Sequence, residues 1–277
     1  MGMELLGRPW AGSLVVRAEE ILGYSPAVAL GDPEKLAHTA YVQPLLLFVE
    51  WLITETLTRE AGLIPQAVCG HSLGEYTALA AAGVISWEDA LWLAARRGRL
   101  MEEVARKHPG TMAAIIAPQA EVERIAAETG CFAVNYNAPE QVVVSGENAS
   151  VERAVARARE RGFRAVPLRV MGPFHTPLMW EAEAEFRQAL EEIAFSSPRV
   201  KFVSAVSGRP ETDPGEIRRL MGIQMTSPVR WTEVIRALEG LGVTEAVEVG
   251  PGEVLTKLGR RTSRGINFKR WGEYVGL

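Results

Sequence analysis

Residues Gly70-His71-Ser72-Leu73-Gly74 set a serine between two glycines in a G-x-S-x-G string. Gln66 to Cys69 reads as a short buried strand before it, and Glu75 to Ala82 as a helix of small residues after it. Strand, sharp turn and helix in that order make a nucleophile elbow, whose strained turn lifts the Ser72 hydroxyl clear of the backbone. The same turn aims the Leu73 N–H, at a helix N-terminus, toward the place where an oxyanion would form. A Cβ at Gly70 or Gly74 is expected to collide as strand and helix pass closely. The alternative is a structural turn in which Ser72 only caps the helix.

A serine hydroxyl needs a base within hydrogen-bond reach. The four histidines are His38, His71, His108 and His175. His71 adjoins Ser72 and should point away across the turn, His108 lies at a predicted hinge, and His38 sits in a surface-like helix. His175 lies in Gly172-Pro173-Phe174-His175-Thr176-Pro177, a proline-braced loop between a strand and a helix, and is the candidate base. No aspartate obviously completes a triad. Arg97 falls on a helical stripe formed by Ala90, Leu93, Leu100, Met101 and Val104. A buried guanidinium must be paired. Its fork fits a carboxylate, either a substrate's or that of an internal acid such as Glu75.

The elements that must position these groups alternate along the chain. Pro33 to Glu60 is helical, with Pro44 marking a fresh start and Leu45, Phe48, Val49, Leu52 and Ile53 forming an apolar face. Ser86 is a helix N-cap with Asp89 three residues on, and that helix runs to about Lys107. Residues 109–172 follow the order βαββαβ, which predicts a small ferredoxin-like domain inserted into a larger one. The larger, discontinuous catalytic domain spans 1–108 and 173–277. It is expected to be α/β and α/β-hydrolase-like, with a mostly parallel sheet covered on both faces. Beyond Pro173, helices are expected at 178–193, 217–221, 231–240 and 254–261, strands at 201–204 and 246–249, and an irregular tail.

Composition limits the function class. The 277 residues are 47% hydrophobic and 23% charged, ordinary for a soluble globular protein. A net charge of −4 gives no global nucleic-acid footprint. The most apolar segment, Pro44 to Ile53, carries Glu50 and is too short to span a bilayer. Two cysteines without metal-ligand company suit a reducing cytoplasm, and no signal peptide, metal site or cofactor is expected.

The full string Gly70-His71-Ser72-Leu73-Gly74-Glu75-Tyr76 resembles the active-site motif of the malonyl-CoA:acyl carrier protein transacylases and of the acyltransferase domains of fatty-acid and polyketide synthases. Further matches are Gln43-Pro44, Arg97-Gly98, Asn135 to Pro139, the Pro-x-His loop and Ser227-Pro228-Val229-Arg230-Trp231. The resemblance implies a ping-pong transfer of malonyl from malonyl-CoA to the phosphopantetheine thiol of an acyl carrier protein through a Ser72 acyl-enzyme. His175 would be the base, Leu73 N–H an oxyanion donor and Arg97 the grip on the malonyl carboxylate. Phe174 resembles malonyl-selecting more than methylmalonyl-selecting members. An acceptor near Arg230 would orient His175, and because arginine cannot accept, a backbone carbonyl there would serve.

The family also opens with an apolar strand running into Gly-Gln-Gly-Ser-Gln, whose glutamine N–H is the second oxyanion donor. Met1-Gly2-Met3-Glu4-Leu5-Leu6 resembles the segment just after that loop. The expectations are a natural start further upstream, or a variant with impaired activity that retains carrier-protein binding. Losing such a donor costs on the order of 3 kcal/mol of barrier. A serine hydrolase or thioesterase is the other reading. It fits less well, because α/β-hydrolases place a late histidine after the acid and none follows His175. The set Arg153, Arg157, Arg159, Arg161 and Arg164, with Lys257, Arg260, Arg261 and Arg264, would meet an acidic carrier protein or a CoA phosphate, or else form solvated helix faces.

Overall fold

The computed structural model describes residues 2–276, so the outermost residues of the expected large domain, Met1 and Leu277, lie outside the described residues. A helical turn leads into α1 (Ala11–Leu22), α2 (Pro26–Ala29), α3 (Pro33–Leu36) and α4 (Thr39–Ala61). Then come β1 (Ala67–Cys69), α5 (Gly74–Ala81) and α6 (Trp87–Lys107). The middle of the chain runs β2 (Gly110–Ile116), α7 (Gln119–Thr129), β3 (Phe132–Ala138), β4 (Gln141–Glu147), α8 (Asn148–Glu160) and β5 (Arg164–Pro167). It continues as α9 (Trp180–Glu191), β6 (Lys201–Val203), β7 (Pro210–Glu211), α10 (Pro214–Ile223) and α11 (Trp231–Gly240). The chain closes with β8 (Glu245–Glu248), α12 (Val254–Thr262), β9 (Asn267–Arg270) and α13 (Gly272–Val275).

This α/β chain has three sheets among the described residues. β6 lies between β1, to which it is parallel, and β7, to which it is antiparallel. β8 and β9 form a parallel pair. The third sheet, in the order β3-β4-β2-β5, is antiparallel throughout. Outside residues 109–172 two of the three strand pairs are parallel, as expected, but the strands fall in two separate sheets instead of one. β1 and β8, only three and four residues long, line a cavity of about 480 Å³ and do not pair with each other. Glu50 also lines it; burial pushes this carboxyl up to about 7, and it accepts a hydrogen bond from the Thr77 hydroxyl.

α6 is the helix that matters most for the site. Ser86 caps it, its hydroxyl accepting from Asp89 N–H at 3.0 Å as the sequence pattern predicts. Its stripe from Ala90 to Val104 is buried against α4. Gly98 lets the two helices close up, for a Cβ there would stand 2.6 Å from the Thr39 carbonyl oxygen. α4 itself runs through Pro44 without a break, contrary to the expected fresh start. Burial of Leu45, Leu47, Phe48 and Leu52 outweighs the backbone hydrogen bond that a mid-helix proline cannot make.

Apolar side chains gather in three groups. The largest packs α4, α5, α6 and α9 together, a second fills the space between α7, α8 and the four-stranded sheet, and a third joins β6, α11, α12 and β9. The tail is not irregular: Phe268 turns inward from β9 opposite Ala246, and a short helix follows. A four-residue strand with one buried side chain between polar neighbours leaves too little alternation to read from sequence. No helix of the described residues is long and apolar enough to cross a membrane.

Candidate active site

β1 feeds straight into the elbow. Gly70 is obligatory there, since a Cβ would stand 2.0 Å from the Gly74 carbonyl carbon. Gly74 is not: its backbone is what crowds Gly70, but a Cβ on Gly74 itself would meet nothing within 4 Å. Ser72 and His175 are the two non-glycine residues with positive φ among the described residues, at 53° and 62°. Left-handed backbone costs an ordinary side chain about 1–2 kcal/mol, so the surrounding structure must hold both in place.

The two strained residues face each other. Ser72 Oγ lies 2.8 Å from His175 Nε2, across 103 positions of sequence. Around His175, the Thr176 hydroxyl donates to Pro173 O at 2.6 Å and accepts from Leu178 N–H at 3.2 Å, which locks the loop. His175 is 4% exposed. Its Nδ1 lies 3.0 Å from Gln224 O and 3.1 Å from Ser227 O. Two carbonyl acceptors fix the proton on Nδ1 and leave Nε2 free to accept from the serine. The expected backbone carbonyl near Arg230 is that of Ser227, at the head of the matched segment, and it shares the imidazole with the Gln224 carbonyl; these two residues bracket the turn Gln224–Thr226, and the Arg230 side chain reaches out to Glu233. Burial, then the charge of Arg97, hold the imidazole near a pKa of about 3, so it is neutral at ordinary pH.

Arg97 is 1% exposed. It donates to Gln43 Oε1 at 2.6 Å and to Ser72 Oγ at 3.0 Å, and its charged carbon stands 5.7 Å above the Tyr76 ring. Its Nε has no partner. The internal salt bridge with Glu75 does not form, because both Glu75 oxygens are taken by Ser204, Ala205 and Gln224. Burial lowers the guanidinium's affinity for its proton, yet it stays charged.

Leu73 precedes the first residue of α5, and its N–H donates to no intramolecular acceptor among the described residues. It is thus an unoccupied donor beside Ser72. His71 turns away as expected: its Nε2 meets Asn137 Oδ1 at 2.8 Å and its ring packs edge-on against Trp231. His38 meets Glu102 and His108 meets Glu181 near the surface, far from Ser72 in contacts. Among the described residues no group of three His, Cys, Asp or Glu side chains is placed to hold a metal ion.

Three site residues had no chemistry assigned from sequence. Gln43 and Gln224 are buried amides that each bridge two partners, and Asn137 anchors His71. Gln43-Pro44 and Asn137-Ala138-Pro139 do fall in matched motifs, which was the available signal.

A family model described as "Acyl transferase domain" matches residues 1–271. A malonyl CoA-acyl carrier protein transacylase of Synechocystis sp. is 38% identical over 280 residues, covering 100% of this chain and 94% of the relative. The solved malonyl CoA-acyl carrier protein transacylase of Coxiella burnetii superposes with a TM-score of 0.93 at 32% identity, over 99% of this chain and 90% of that one. A malonyl-transacylase solved in complex with a type II PKS acyl-carrier protein gives 0.89 at 35% identity, over 93% and 86%. With an elbow serine, a loop histidine and a buried arginine converging, and with matches along its whole length, the chain belongs to the acyl transferase domain family.

Proposed function

We propose that the protein moves a malonyl group from malonyl-CoA to the phosphopantetheine thiol of an acyl carrier protein, in fatty-acid or polyketide synthesis. The observation that carries this is Arg97: a buried guanidinium with no acid partner, one donor on the nucleophile's oxygen and one N–H unused. Such a fork awaits a carboxylate that the protein does not supply.

His175 Nε2 takes the Ser72 proton as Oγ attacks the thioester carbonyl. The oxyanion accepts from Leu73 N–H, and Arg97 holds the far carboxylate so that the reacting carbonyl faces Oγ. Collapse breaks the C–S bond, and the imidazolium returns its proton to the departing CoA sulfur. The carrier thiol then gives its proton to Nε2 and attacks the malonyl-serine ester, and Ser72 leaves with the proton restored. The neutral, Nδ1-protonated imidazole suits both halves.

The finer architecture belongs to this reading. Residues 109–172 form an inserted ferredoxin-like domain, supported by the order β3-β4-β2-β5 and by an apolar core of its own. Residues 1–108 and 173–277 form an α/β-hydrolase-like catalytic domain, supported by the parallel β1–β6 pair leading into the elbow. Two free cysteines suit a reducing cytoplasm.

Intact-mass spectrometry after incubation with malonyl-CoA, with acetyl-CoA and Ser72→Ala in parallel, tests the function. A malonyl adduct on the unaltered chain only, discharged by carrier protein, is expected. Discharge to water instead of carrier would turn the assignment to a hydrolase, and no adduct would overturn it.

A further inference from the structure

Behind the nucleophile lies a second carboxyl group that the mechanism above does not use. Glu75, in the first turn of α5, is fully buried. Its Oε1 accepts from Ser204 Oγ at 3.0 Å and from Ala205 N–H at 2.8 Å. Its Oε2 accepts from Gln224 Nε2 at 2.6 Å. Ser204 Oγ in turn accepts from Val206 N–H at 3.1 Å, so its own hydrogen is free for Glu75. All three neighbours are donors, which matches an ionised carboxylate. The register explains the meeting: Cys69 pairs with Val203, so the residues just past β1 and β6 lie side by side.

Gln224 spends both amide hydrogens on this corner. Nε2 donates to Glu75 and, at 2.9 Å, to the carbonyl oxygen of Ser72, while Oε1 is buried without a partner. An orphaned amide oxygen is costly, and a rotated amide would be costlier, because it would press Oε1 against two acceptors. The backbone carbonyl of this same residue receives His175 Nδ1. α10 ends at Ile223, so the Gln224 carbonyl is a helix-end acceptor; it takes Ser227 N–H at 3.3 Å as well as His175 Nδ1, and the Gln224 side chain is the residue's other tether.

We propose that Glu75 is a positioning residue for the acyl transfer: it holds the Gln224 amide, and thereby the carbonyl that sets the His175 tautomer and the carbonyl of the elbow itself. The imidazole is oriented by a carboxylate at one remove, through an amide. The proposal rests on the reading of Ser72 and His175 as nucleophile and base.

The test joins rate to tautomer. Glu75→Gln is expected to lower kcat for acylation by malonyl-CoA about 10–100-fold, the range for losing a supporting partner of a reacting group. KM is expected to stay within about twofold, since no substrate contact is lost. In ¹⁵N NMR the unaltered protein should show His175 as one Nδ1–H tautomer, and Glu75→Gln a mixture. Gln224→Ala, which keeps the backbone carbonyl, should do the same, and the double variant should lose no more rate than the worse single one. An unchanged rate, a single retained tautomer or additive losses would overturn the proposal. If Glu75→Gln does not fold, the Gln224→Ala spectrum decides, with a retained single tautomer counting against. Tautomer populations need no substrate, so they remain readable if the unaltered protein forms no malonyl adduct, which would instead count against the transacylase reading.

Discussion

Arg161 lies 3.1 Å from Glu121 and 2.6 Å from Glu128, and its neighbour Arg157 lies 3.0 Å from Glu128 and 3.2 Å from Glu160. Arg97, deep between α4, α5 and α6, meets an amide, a hydroxyl and an aromatic ring. The same guanidinium is spent on structure in one region and held in reserve in the other. Most of the basic set around α8 and α12 is satisfied in the same inward-looking way: Arg153 by Thr129 O, Arg159 by Ala165 O, Arg260 by Phe268 O, Arg261 by Gln141 and Lys257 by Glu253. Exposed positive charge is thus a poor guide to binding here. A buried charge without a counter-ion is the better one, because desolvation makes it too costly to keep for packing alone.

Replacing Arg97 by Met should break this contrast most visibly. Truncating a buried partner of a charge costs about 2–5 kcal/mol, so malonyl acylation should fall roughly 10²–10³-fold, while acetyl-CoA, lacking the carboxylate, loses little. Melting temperature should hold or rise, since an unpaired buried charge has gone. Intact-mass time courses and a thermal melt read the two sides, and a protein that melts lower with unchanged malonyl preference would sink the distinction.

Glu50 is the acidic counterpart, buried with one hydroxyl donor. Its carboxyl stands at about 7 when folded against an ordinary 4.5, so the folded state binds more protons between those values. Stability therefore falls as pH rises from 4.5 to 7, by on the order of 3 kcal/mol. Glu50→Gln should remove that slope in urea titrations and stabilise the protein above pH 7. His175 has the opposite sign. Folded at about 3 against 6.5, it makes the unfolded state the better proton binder, and stability drops as pH falls through that window. The acylation rate should accordingly show no histidine step near pH 6.5 and stay level down to about pH 5, as stopped-flow release of CoA would show. The smallest effect belongs to the exposed side of the comparison. Arg157→Ala should leave the thermal melt almost unmoved and acylation by malonyl-CoA unchanged.

Much of the site was legible because it rests on local rules. The elbow follows from glycine spacing, Arg97 from helical phase, and His175 from the want of another base. The Ser227 carbonyl was foreseen only through its matched segment and the Gln224 carbonyl not at all, since backbone acceptors about fifty positions away carry no side-chain signature. Glu75 was considered only as a salt-bridge partner for Arg97, when its oxygens belong to donors at 204, 205 and 224. In the fold, the helix through Pro44 and the strand at Asn267–Arg270 escaped because burial decided them against local propensity. Gly74 misled in the other direction, as a motif glycine with open space around it.

The left-handed backbone at Ser72 and His175 has a consequence for anyone who selects this protein for robustness. Both positions carry side chains where glycine or asparagine would sit more comfortably. A library screened for heat resistance, with no assay for acyl transfer, should enrich replacements at these two residues and return a tougher, inert protein.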